Sequence, residues 1–163
     1  MSAKVQFPEE IFRGADDLAA PIDPILVRLF AYWNDKRGDR AMPRRADIDP
    51  VEMRGLVTNV MLYDVVTPGS VYRIRLVGQA IVDFVGVNTT GQLAQHTMPP
   101  DAAKRIIEIL TSVTTERAPR FRAGHAHWHK DKSYRKFEGC FLPLSADGES
   151  VDMILSGVIF KTE

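Results

Sequence analysis

At 163 residues and 45% hydrophobic content, the chain is long enough to bury one proper core and short enough to hold it to one domain with modest extensions. Its 21 Lys plus Arg balance 21 Asp plus Glu, so no global field draws it to nucleic acid or to an anionic membrane surface. A lone cysteine, Cys140, excludes an internal disulfide framework, the opening MSAKVQFPEEIF lacks the apolar stretch of a signal peptide, and no apolar run approaches the ~20 residues of a membrane-spanning helix. The expectation is a cytoplasmic protein without membrane insertion.

Residues 1–21 mix charge, Gly14 and two prolines with scattered apolar positions, which reads as a solvated flexible arm. Residues 22–39 follow as an amphipathic helix: Asp23 is a cap, Pro24 suits the first helical position, and Gly38 stops the helix after Arg37. Its stripe of Ile25, Leu26, Leu29, Phe30 and Trp33 must pack on something, either within the chain or on a second copy in a homodimer. Residues 40–163 make the main domain. It starts with a basic stretch, KRGDRAMPRR, in which Arg40, Arg44 and Arg45 are candidate anion-binding residues. The spacing of Arg40 and Arg44 is similar to one half of the PilZ-type cyclic-dinucleotide motif, whose guanidinium groups grip phosphates bidentately. The run Asp64-Val65-Val66-Thr67-Pro68-Gly69 lacks the serine of the other half, so a surface loop paired with Asp39, Asp47 or Asp49 is the expectation.

Asp49-Pro50 repeats the cap-plus-proline signal and predicts a short helix through Leu56. Val60 to Val66 reads as a strand, and Thr67-Pro68-Gly69-Ser70 as a type II turn closing a hairpin. In the next strand Tyr72, Ile74 and Leu76 alternate with Arg73 and Arg75, a half-buried pattern that stops at Gly78. From Gln79, the spacing of Ile81, Val82, Phe84 and Val85 predicts a short helix closed by Gly86. A polar loop leads to a longer helix over Asp101 to Thr115, ended by Pro119, with Ala102, Ile106, Ile109, Leu110 and Val113 inward. Three antiparallel strands close the chain: Arg120 to His129, Tyr134 to Leu144, and Val151 to Lys161, the last apolar on both faces.

Two strands, short helices, a longer helix and three more strands make an α+β order that resembles the PAS fold. That fold is a five-stranded antiparallel sheet with short helices on one face and often an N-terminal helix on the other. The chain is similar, more narrowly, to stand-alone bacterial PAS proteins once classed as domains of unknown function. The matching residues are LFAYWNDKRG, MPRRADIDP, YRIRLVGQAIVDFVG, the Thr90-Gly91-Gln92 triplet and LPLSADGESVDMILSGVIF, which together span Ile25 to Phe160. The resemblance implies a sensory or protein-interaction module of bacterial signal transduction, commonly dimeric, with any ligand held between sheet and helices. With no kinase, cyclase or DNA-binding segment in these residues, it also implies that output passes through a separate signalling protein.

Set against that family, Gly86-Val87-Asn88-Thr89 has threonine where flavin-adduct PAS domains carry the reactive cysteine, which argues against a covalent flavin adduct. The long helix lacks the histidine of haem sensors, leaving only His96 ahead of it. The cofactor expectation is none, or an unidentified small ligand. A ligand pocket would be lined by Tyr72, Ile74, Phe84, Ile106, Leu110, Trp128 and Phe141; the same residues could make a closed core, and the closed core is the expectation. His125, His127 and His129 share one face of a strand, with neighbouring Cα atoms about 6.8 Å apart. His125 and His127 are therefore a candidate metal pair that would need a further ligand from elsewhere, while Gly124, Ala126 and Trp128 turn inward. Asp64, Glu138, His127 and Cys140 are of the right types for acid-base or nucleophilic work but have no nucleophile-base spacing, so an enzyme is not expected.

Overall fold

The computed structural model describes residues 16–98, 100–126 and 135–161. Six strands form one antiparallel sheet: β1 (Asp16–Leu18), β2 (Val60–Thr67), β3 (Val71–Val77), β4 (Arg120–Ala126), β5 (Arg135–Leu144) and β6 (Met153–Lys161). They lie in the order β1-β4-β5-β6-β2-β3, so the last strand is central, with Leu155 opposite both Leu62 and Leu142. Helix α1 (Pro24–Arg37) covers one face of β5 and β6; α2 (Gln79–Val85) and α3 (Pro100–Glu116) cover the other. Covering both faces is what the doubly apolar last strand requires.

Helix α1 begins where the Asp23 carboxylate accepts the Ile25 N–H at 2.8 Å, with Pro24 in the first turn. Leu26, Leu29 and Trp33 are buried against the sheet, the Trp33 indole N–H donates to Pro143 O at 2.8 Å, and Phe30 meets Phe121 edge-on at 5.0 Å. Burying Leu26 and Leu29 contributes about 2 kcal/mol each, a large share of the roughly 5–15 kcal/mol by which domains are stable. Helix α1 is therefore a wall of this chain's own core. It comes close because Gly157 has no side chain: a Cβ there would stand 2.7 Å from both Leu26 Cδ2 and Leu29 Cδ2. The chain's entry into α1 is held by Glu138 on the same sheet face, whose carboxylate accepts the N–H of Ile22 at 2.7 Å and of Asp23 at 3.0 Å. Asp23 in turn pairs with Lys161 at 3.0 Å.

On the opposite face the strand-to-helix switch falls at Gly78, as the broken alternation predicts. Its N–H donates to Val60 O at 2.7 Å, and a Cβ would meet Thr58 O at 2.3 Å, so only glycine fits this close backbone approach. Helix α2 stops at Gly86, and α3 buries Ala102, Ile106, Ile109, Leu110 and Val113.

Three expectations are corrected. The sheet has six strands rather than five: within the segment read as an arm, Asp16–Leu18 pairs with β4, Asp17 opposite Arg122 and Leu18 opposite Phe121. Such an edge pairing rests on backbone hydrogen bonds to β4, and three residues carry no period to read. The helix expected from Asp49-Pro50 is a run of turns ending in a 3-10 turn at Val57–Asn59. The Asp49 side chain does accept the Val51 N–H at 2.9 Å, but the bonds Glu52 N–H to Asp49 O and Met53 N–H to Pro50 O are of the tighter three-residue kind. The last strand begins at Met153 rather than Val151, while Tyr134, where the strand before it was expected to begin, lies outside the described residues.

Candidate functional site

Alternation along the strands sends one set of side chains toward α2 and α3: Met61 and Tyr63 from β2, Ile74 from β3, Phe137 and Phe141 from β5, and Ser156, Val158 and Phe160 from β6. Ile81 and Val85 of α2, Ala94 of the 3-10 turn Ala94–His96, and Ile106 of α3 close over them. Between floor and roof remains a cavity of about 120 Å³ with an almost wholly apolar wall. Cavities of ~150 Å³ in other proteins hold a benzene ring. Its polar features are few. The Tyr63 phenol donates to the Met61 sulfur at 3.8 Å, and burial pushes its pKa up. The Ser156 hydroxyl is buried without a hydrogen-bond partner among the described residues. Arg122 enters the wall from β4, its Nε 3.6 Å from Asp17 Oδ1.

Of the residues named from sequence for a pocket, Ile74, Ile106 and Phe141 line this cavity. Phe84 stands next to the wall, its ring stacked on Phe160 at 3.6 Å. Tyr72 and Leu110 are buried elsewhere in the core, the Tyr72 hydroxyl meeting Thr111 Oγ1 at 3.0 Å and accepting the Gly69 N–H at 3.1 Å. Trp128, His127 and His129 lie outside the described residues, and the backbone of His125 lies opposite Lys136. Arg122 and Ser156 were missed. The signals were present: Arg122 lies two residues before Gly124, which the strand pattern turns inward, and Ser156 is the single hydroxyl in the run MILSGVIF.

The other candidates are dispersed. Arg40 and Arg44 share one carboxylate, Asp47, at 2.9 and 3.6 Å, and Arg45 donates to Ile48 O at 3.0 Å. The Arg44 backbone N–H, with both guanidinium groups, holds the Asp47 carboxyl below the usual range. Asp64 pairs with Arg75 at 3.3 Å. Cys140 faces α1, and burial pushes its thiol up to about 12, far from a thiolate at neutral pH. His96 is exposed on its 3-10 turn. Among the described residues no three His, Cys, Asp or Glu are grouped to hold a metal ion, and no helix is long and apolar enough to cross a membrane.

The sequence profile of a family described as a PAS domain matches residues 23–159, from the cap of α1 into β6. The chain belongs to the PAS domain family. Among solved structures it is similar to the PAS domain from Bordetella pertussis BvgS, with 25% identity and a TM-score of 0.53, over 71% of this chain and 89% of that one. No curated protein matches the sequence. PAS domains generally serve signalling as sensory or interaction modules, and that broad class is what membership of the family gives this chain. In this PAS domain the helices α2 and α3 form the roof over the cavity and α1 backs the sheet behind it.

Proposed function

We propose that this PAS domain is a non-enzymatic sensor of bacterial signal transduction, in which a small, largely apolar ligand occupies the cavity and a separate signalling protein reads the result. The observation that carries this reading is the apolar cavity between the sheet and α2 with α3, of a volume that suits a ring or a short chain. The arginines ahead of β2 already share Asp47 and nearby carbonyls, which favours an apolar guest over a cyclic dinucleotide. The chain also acts as a homodimer, joined through the side of α1 that its own sheet leaves open.

Denaturing mass spectrometry of the purified protein is expected to release a bound compound, or a panel of small apolar compounds to raise the Tm. At a hundredfold excess over Kd the gain is about 2.7 kcal/mol, or roughly 5–10 °C for a chain of this size. A blank in both measurements overturns the sensing reading in favour of a pure interaction module.

A further inference from the structure

Two polar side chains in the cavity wall ask for more than an apolar guest. Ser156 is 0% exposed, and its Oγ has no hydrogen-bond partner among the described residues, which a buried hydroxyl rarely tolerates. Arg122 is the one charged side chain among the described residues that line the cavity. Its side chain is 19% exposed and its Nε is buried without a hydrogen bond. The neighbouring Asp17 carboxylate, 3.6 Å away, is 72% exposed and stands beyond hydrogen-bonding distance. Arg122 also borders a polar cleft with Arg105, Glu108, Ser112 and Arg120, so its guanidinium sits where the apolar cavity meets a wetter space.

The register sets the span between the two groups. Arg122 pairs with Gly139, which puts no side chain between the guanidinium and the cavity, and Ser156 pairs with Phe141, one inward step along β5. Two strand spacings across and one two-residue step along place the two backbone positions roughly 12 Å apart. A single ring with a polar atom at each end, together with a hydrogen bond of about 2.8 Å at either end, covers that separation. We infer that the cavity takes a small organic acid. Its carboxylate meets Arg122, its body is a single ring or short carbon chain, and a hydroxyl or oxo group at the far end meets Ser156. A single guanidinium matches one negative charge, which selects a carboxylate over a phosphate dianion.

This inference rests on the cavity being a ligand site, and the test separates the two. Titration calorimetry of the full chain at neutral pH would compare 4-hydroxybenzoate with its neutral isostere 4-hydroxybenzamide, hexanoate with hexanamide, and 4-hydroxybenzoate with benzoate. Each acid is expected to bind about tenfold or more tighter than its amide, and the hydroxylated ring tighter than the plain one. Arg122→Met is expected to abolish the preference for the acid, and Ser156→Ala the preference for the hydroxyl, with circular dichroism checking the fold of both. Should Arg122→Met fail to fold, the acid-to-amide ratio in the unaltered chain decides alone. Acids and amides bound equally would overturn this inference and leave the sensing reading standing. If none of these compounds binds, the inference falls, and the sensing reading then depends on the wider panel.

Discussion

Glu138 shows how a single residue can be plain in the sequence and its role hidden. In RKFEGCFLPL it reads as one charge in an apolar strand; in the fold its carboxylate accepts two successive backbone N–H groups, from Ile22 and Asp23, across more than a hundred residues. Those N–H groups precede α1, so the carboxylate fixes where the helix begins. Replacing it with glutamine leaves one accepting oxygen and turns an amide N–H₂ toward a backbone donor. Glu138→Gln is expected to cost about 2 kcal/mol, read as a lowered urea midpoint with an unchanged m-value. Unaltered stability would show that water serves these donors equally well. Cys140, two residues on, was legible as a small buried sheet residue because an unpaired cysteine in an apolar strand behaves as a small hydrophobe, and in the fold burial outweighs the hydrogen bond from the Gly157 backbone that would favour a thiolate.

At the scale of elements, legibility followed the range of the interactions that make each one. Helices α1 and α2 could be bounded from sequence because Asp23, Pro24 and Gly86 act within a few residues of themselves, and because the strand alternation stops at Gly78. Strand β1 escaped notice because its partner is β4, about a hundred residues away, and the turns after Asp49 because a cap and a proline specify a start without specifying α over 3-10 geometry. The cavity wall was half legible: Ile74, Ile106 and Phe141 follow from period and composition, whereas Arg122 and Ser156 acquire meaning only through cross-strand register. The packing of α1 depends on a position that looks dispensable, Gly157. A methyl group there meets two leucine methyl groups at 2.7 Å and the Cys140 sulfur at 3.2 Å. Gly157→Ala is expected to push α1 outward and cost about 2 kcal/mol in equilibrium unfolding. Full stability in that variant would mean that the helix seats more loosely than these contacts imply.

For the whole molecule, the buried stripe of α1 is used within one chain, so a dimer must draw on what remains. Val27, on the open side of α1, is 43% exposed, and Ile22 just before it is 67% exposed. Light scattering of the full chain is expected to give twice the mass of one chain, and Val27→Glu to return it to a single copy. A monomer at every concentration of the unaltered protein would remove the dimer from the proposal. The two faces of the molecule are separated by one layer of backbone: on β6, Ser156 borders the cavity and its neighbour Gly157 touches α1. With two leucines already resting on that glycine, the strand has no slack on its far side. A guest that nudges it by a few tenths of an ångström would have that displacement handed on as a tilt of the helix, with no hinge or moving lid required.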